Sequence, residues 1–207
     1  TGTFTLQPAH VFGATDNGGF YLISRFGPAQ YRIYNIMGDP GAPVATTGLF
    51  PWAAGAFPAD TTADQCTVAA PDLDTLATRV QNAVYRNGRL WCTLTSDPDG
   101  DGQTEVVWQQ IATNSYPAFA PTVAQAGFIN GGGTPAPWTY MPSINVNSGG
   151  DAIINYEQSS ATQCPSVMAA IRLNADPPGT FQAPVTVRAS ASYYDSVGVT
   201  ATDRWGD

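Results

Sequence analysis

Asp97, Asp99 and Asp101 stand at alternate positions of the stretch SDPDGDGQTE, with Gly102 next and Glu105 three residues beyond it. Carboxylates spaced this closely either gather around a hard cation or decorate a solvated turn. Calcium takes six to eight oxygens, and side chains at positions one, three and five of a tight loop converge on it. On that template Asp97, Asp99 and Asp101 are the first ligands, Gly102 permits the sharp turn, the Gln103 carbonyl takes position seven, and Glu105 binds directly or through water. Position twelve, where an EF-hand carries a bidentate Glu, is Trp108, so this is not an EF-hand. Asp, Gly and Pro are also ordinary turn residues. Three neighbouring carboxylates repel one another unless a cation is present, which favours structural Ca2+ over the bare turn.

The elements around this loop are strands. From Arg79 to Ile111 two alternating runs meet at Asn87-Gly88, and the acidic loop leads into a third. Asn-Gly between alternating runs marks a two-residue hairpin, because a type I′ turn needs positive φ at both central residues. This is a β-meander, and less complete copies of it occur on either side. The first unit spans about 4–37, with FYLISR (Phe20 to Arg25) and YRIYNI (Tyr31 to Ile36) as half-buried strands. The second covers 79–111, and the third covers 140–190. In the third, Ile144 and Val146 alternate with Asn, Gly149-Gly150 turns the chain, and Ala152, Ile154 and Tyr156 continue one face; Val167, Ala169, Ile171 and Leu173 line the next strand. Residues 38–78 and 112–139 read as long connections, the first with a short strand near Val44 and with Phe50, Trp52 and Phe57 as apolar anchors or a sugar-binding platform.

Aligned at Pro8, Asn82 and Pro142, the units are offset by 74 and 60 residues. A small sheet with one apolar face is unstable alone, and stacking like sheets around an axis buries those faces. The expected fold is therefore all-β: a β-propeller of which this chain covers about three four-stranded blades and the start of another.

The 207 residues carry eight basic side chains, all Arg, against sixteen acidic ones, for a net charge of -8. With no basic face, nucleic acid and anionic membranes are poor partners. No apolar run is long enough to span a bilayer, and Thr1 begins directly in patterned sequence, which implies processing or truncation at this end. Cys66, Cys92 and Cys164 fit no zinc or redox spacing. Cys92 shares a strand face with Leu90 and Leu94, as a buried thiol would, while a Cys66–Cys164 or a Cys66–Cys92 bridge is compatible with an oxidising compartment. The lone histidine, His10, reads as a structural residue with no nucleophile or carboxylate pair arranged beside it.

Two resemblances extend this reading. The acidic hairpin resembles the calcium loops of FG-GAP propeller repeats in integrin α chains, D-x-D-x-D-G-x-x-D, with Glu105 in place of the last Asp. YMPSINVNSGGDAIINYEQSS, CPSVMAAIRLNADPPGTFQAP and the closing DRWGD resemble a group of secreted sialidase-like β-propeller proteins of uncharacterised function; LQPAH, LDT and NGRLW match the same group. That resemblance implies an extracellular or cell-surface location. It also implies that Asp207 falls where further strands follow, so that other blades come from the same or another chain.

Sialidase chemistry needs three Arg residues on a carboxylate, a Tyr/Glu pair and an Asp acid. Arg25, Arg32, Arg79, Arg86, Arg89, Arg172, Arg188 and Arg204 are present, but no pattern selects three, and SDPDGDGQTEVVW has the wrong spacing for an Asp-box. Glu157 and Asp203 are the carboxylates that could flank a glycosidic bond. Strand and turn positions account for both equally well, and a shared fold does not carry a function with it. The expectation is a non-catalytic module that binds a glycan or a protein, or builds a surface assembly. The alternatives are a glycoside hydrolase completed by residues outside this chain and a structural component of a sheath or filament.

Overall fold

The computed structural model describes residues 3–15, 18–27, 30–39, 41–42, 44–51, 62–67, 69–76, 78–114, 120–132, 136–196 and 203–204. All regular structure among them is β-strand, in four sheets, and no helix is long and apolar enough to cross a membrane. The first sheet has the order β1 (Thr3–Pro8), β3 (Phe20–Phe26), β4 (Gln30–Met37), β5 (Val44–Pro51), all antiparallel. The second runs β8 (Val80–Arg86), β9 (Arg89–Ser96), β10 (Glu105–Ala112), β11 (Thr122–Ile129), and β2 (His10–Phe12) joins it in parallel beside β8. The third is β12 (Trp138–Val146), β13 (Ala152–Ser160), β14 (Gln163–Arg172), β15 (Val185–Arg188). A small fourth sheet pairs β6 (Thr62–Ala63), β7 (Leu73–Asp74) and β16 (Asp203–Arg204), the last in parallel.

Local chemistry accounts for the hairpins. Asn87 and Gly88 both have positive φ, 51° and 73°, as the Asn-Gly dipeptide requires. The edge strands β1 and β12 of the first and third sheets carry the same bulge: one between Phe4 and Gln7 with Thr5 at φ 53°, the other between Tyr140 and Ser143 with Met141 at φ 52°. A bulge bends a strand and sharpens its twist. The same local geometry thus recurs in the first and third sheets.

The second sheet lies between the other two. On one side Tyr21, Ile23, Tyr31 and Ile33 of the first sheet pack with Tyr85, Leu90, Cys92, Leu94, Val107 and Ile111 of the second. On the other side Val84, Trp91, Val106 and Trp108 of the second pack with Ile144, Val146, Ile154, Tyr156 and Met168 of the third. A central sheet apolar on both faces explains why nearly every residue of β9 and β10 is buried. The segment between β14 and β15 reaches back over the second sheet, with Phe181 edge-on to Trp108 and the Gly179 N–H donating to Gln125 Oε1 at 3.0 Å.

Two expectations need adjustment and two open points are resolved. The unit bounds 4–37 and 79–111 each omit a fourth strand, because β5 and β11 lie in stretches read as connections 38–78 and 112–139; β6 and β7 also lie in the first of these. On β14 it is Met168 and Ala170 that enter the core, while Ile171 and Leu173 face outward and are exposed. Of the two bridges considered, Cys66 pairs with Cys164, and Cys92 is free and buried in the core, where burial pushes its thiol up to about 12. Asp203 and Arg204 pair with Leu73 and Asp74 of the small sheet; Trp52, Phe57, Trp205 and the Phe50 side chain lie outside the described residues.

Candidate metal centre

The acidic loop connects β9 and β10, both almost wholly buried. Ser96 at the end of β9 pairs with Glu105 at the start of β10, so residues 97–104 form a closed loop over one end of the central sheet. Thr139 of β12 fixes its base from the third sheet. Its N–H donates to the Thr104 carbonyl at 2.8 Å, and its hydroxyl oxygen accepts the Val106 N–H at 2.9 Å and donates to the Ile129 carbonyl at 2.6 Å. Glu105 is thus flanked on both sides by backbone bonds to the same threonine.

Within the loop Asp97 is the organiser. Its Oδ1 accepts the Gly100 N–H at 2.6 Å and its Oδ2 accepts the Gly102 N–H at 3.0 Å. Gly100 and Gly102 have φ 79° and 88°, a region that side chains rarely adopt, so the path around Asp97 depends on these two glycines. Asp99 and Asp101 accept the N–H two residues on, from Asp101 at 3.4 Å and from Gln103 at 2.8 Å. Such Asx turns leave each carboxylate with unused lone pairs.

One carboxylate oxygen from each of Asp97, Asp99 and Glu105 lies within 4.8 Å of the others. Oxygens this close can share one metal ion, and exposed acidic groups are also common without one. Asp101 stands outside the triangle, exposed to solvent. The Gln103 side-chain Oε1 is buried without a partner. Three of the five residues expected as ligands are therefore drawn together.

Glu105 is the unusual member. It is 1% exposed, and its Oε2 has no hydrogen-bond partner. Burial first, then the charges of Asp99, Asp101 and Asp97, push its pKa up to about 9. Ser96 Oγ and Thr104 Oγ1, at the two ends of the loop, are likewise buried and unpartnered. Buried oxygens without donors are rare because each forfeits its hydration. Here four of them border one short loop, and every one is an oxygen acceptor of the kind a hard cation uses. Sequence reasoning missed Ser96, Thr104 and Thr139, since isolated Ser and Thr give no pattern signal.

The remaining candidates are dispersed. Glu157 is half-buried on β13 and Asp203 opens β16. Arg25 bonds to Thr78, Arg32 covers the Phe26 ring, Arg86 donates to the Val146 carbonyl, and Arg172 donates to the carbonyls of Leu173 and Asp176. These four hold different parts of the framework rather than one ligand. His10 is exposed on β2. No family model matches the chain, and no curated protein or solved structure matches it.

Proposed function

We propose that this chain is part of an extracellular β-propeller module, non-catalytic, whose β9–β10 loop holds a structural Ca2+ and which binds a glycan or a protein or contributes to a surface assembly. The observation that carries the calcium reading is the Glu105 carboxyl, buried and unpartnered beside Asp97 and Asp99. In that position it is either protonated or balanced by a cation, and the neighbouring oxygens favour the cation. Three sheets stacked in chain order, antiparallel apart from β2, with each neighbouring pair sharing a core, support the propeller reading. The Cys66–Cys164 bridge suits an oxidising compartment.

Calcium binding only the folded state stabilises it by mass action. Chelation therefore lowers the melting temperature, and Asp99→Ala removes the response. Identical melting curves with and without chelator leave only the solvated turn. The alternative, a sialidase-like hydrolase completed outside this chain, is tested on a panel of fluorogenic glycosides; turnover that disappears in Glu157→Gln would replace the binding reading.

A further inference from the structure

On the face of the second sheet that meets the third, Val84, Trp91 and Trp108 are buried in the shared core. Two residues nearer the Asn87-Gly88 turn the same face carries Arg86, Arg89 and Gln110, as strand periodicity requires. The interface thus turns polar at this end. A cleft of about 200 Å³ opens there, between those three side chains and, from the third sheet, the Gly149-Gly150 turn and Asn174. Its walls are tied together: Arg86 donates to the Val146 carbonyl at 3.2 Å, and the Asn87 amide donates to the Ser148 carbonyl at 3.2 Å. Asn174 sits against the glycine turn, where a Cβ on Gly150 would stand 3.1 Å from its side chain.

Charge sets this cleft apart. Arg86 and Arg89 are directly opposite in the hairpin register, the first half-buried and the second exposed. Like charges placed opposite one another destabilise a sheet. Among the described residues no carboxylate borders the cleft. Asp151 lines the adjoining groove with Arg86, but its two oxygens accept the Asn174 N–H at 2.9 Å and the Asn147 amide at 2.8 Å. The counter-charge is left to solvent ions or to a ligand.

We infer that this cleft takes a tetrahedral oxyanion, the sulfate or phosphate ester group of an otherwise neutral glycan. The inference rests on the binding reading given above and names the charged group that its ligand carries. A single guanidinium fork satisfies a planar carboxylate, whereas two forks from facing strands match the three terminal oxygens of an ester. Asn87, Gln110 and Asn174 bring amides suited to hydroxyl groups. Trp91 and Val146 also line the cleft but are buried, so it offers no apolar seat for a peptide side chain. A net charge of -8 repels a polyanion, which leaves a single ester on a neutral sugar chain as the group that fits.

Nitrogen-15 spectra of the arginine Nε–H groups test this, in the 207-residue protein with calcium at fixed ionic strength. Methyl sulfate and methyl phosphate are the probes, with acetate as the planar control. The expected result is a saturable shift at Arg86 and Arg89 with either ester and none at the exposed Arg188 of β15. Arg89→Gln, at an exposed position, and Arg86→Lys, which keeps the charge but loses the fork, each weaken ester binding at least about tenfold with circular dichroism unchanged. On a glycan panel, retention falls when the ester is removed from the same oligosaccharide, and the better of the two esters identifies the source. Shifts that occur alike at all arginines, acetate bound as tightly as the esters, affinity unchanged in Arg89→Gln, or phosphopeptides retained ahead of glycans overturn the inference. The two readings fail separately. Glycans retained equally by Arg89→Gln strike this cleft and leave the binding reading, whereas methyl sulfate bound at Arg86 and Arg89 by a chain that retains no glycan or protein strikes the binding reading and leaves only an anion cleft.

Discussion

Replacing Glu105 by Gln keeps the shape of the side chain and deletes its charge, which makes it the sharpest probe of the loop. In the metal-free protein the carboxyl has a pKa of about 9 against an ordinary 4.5. Holding it neutral at pH 7 costs the folded state the gap between 4.5 and 7, about 3.4 kcal/mol at about 1.36 kcal/mol per unit. Solvent above the exposed Asp99 and Asp101 screens part of this, so about 1.5 kcal/mol is the working figure. Gln carries no such cost. Metal-free Glu105→Gln should therefore melt higher than wild type, by about 3–6 °C for a chain of this size. Calcium reverses the order. At a concentration about 100 times its dissociation constant, the ion adds about 2.7 kcal/mol to the wild type and far less to a variant that has lost a charged ligand. Differential scanning calorimetry with and without calcium reads both arms. A crossing of the two proteins is the expected result. A variant less stable than wild type under both conditions would mean that Glu105 is only a packed residue, and the cation reading would fail.

Three further outcomes follow from the same framework. Because the metal-free Glu105 pKa lies above its unfolded value, its contribution to stability is complete below about pH 4.5 and is lost as pH rises toward about 9. Metal-free protein should thus lose stability across that window, calcium should flatten the slope, and binding at pH 7 should release about one proton, measured by titration calorimetry in buffers of different ionisation enthalpy. The Cys66–Cys164 bridge spans 98 residues, so Cys66→Ala/Cys164→Ala should cost about 2–4 kcal/mol in urea unfolding; a thiol reagent should find no reactive group in the native chain, one in the denatured chain and three after reduction. Finally, a Cβ on Gly127 would stand 2.4 Å from the Gly179 carbonyl oxygen, a backbone atom, so Gly127→Ala should destabilise by about 1–3 kcal/mol in the same assay and loosen the clamp that seats Phe181 on Trp108.

The legible parts of this chain were those governed by local rules. Asn87-Gly88 fixes a turn by its φ requirement, and alternation placed Leu90, Cys92 and Leu94 on one buried face. The acidic spacing located the loop, and the structure draws Asp97, Asp99 and Glu105 together. What escaped was set by tertiary context. β5, VATTGLFP, and β11, TVAQAGFI, carry Gly and small residues that weaken the alternating pattern, and partners across the sheet make them strands. On β14 both faces are apolar, so alternation could not say which one the core would take. Thr139 could not be found from spacing either, because it reaches the loop from another sheet.

That last contact gives the candidate ion a purpose beyond the loop. Glu105 lies between Thr104 and Val106, and both bond through their backbone to Thr139. The position of the Glu105 carboxyl is therefore set by the junction between the second and third sheets. A cation that draws Glu105 toward Asp97 and Asp99 also holds the register of β10 against β12. Wild-type protein without calcium should consequently lose hydrogen-exchange protection at the Val106 and Thr139 amides before the Leu22–Tyr34 region of the first sheet. Protection lost uniformly across all three sheets would place the effect of the ion on global stability alone. Protection lost only at residues 99–103 would confine it to the turn.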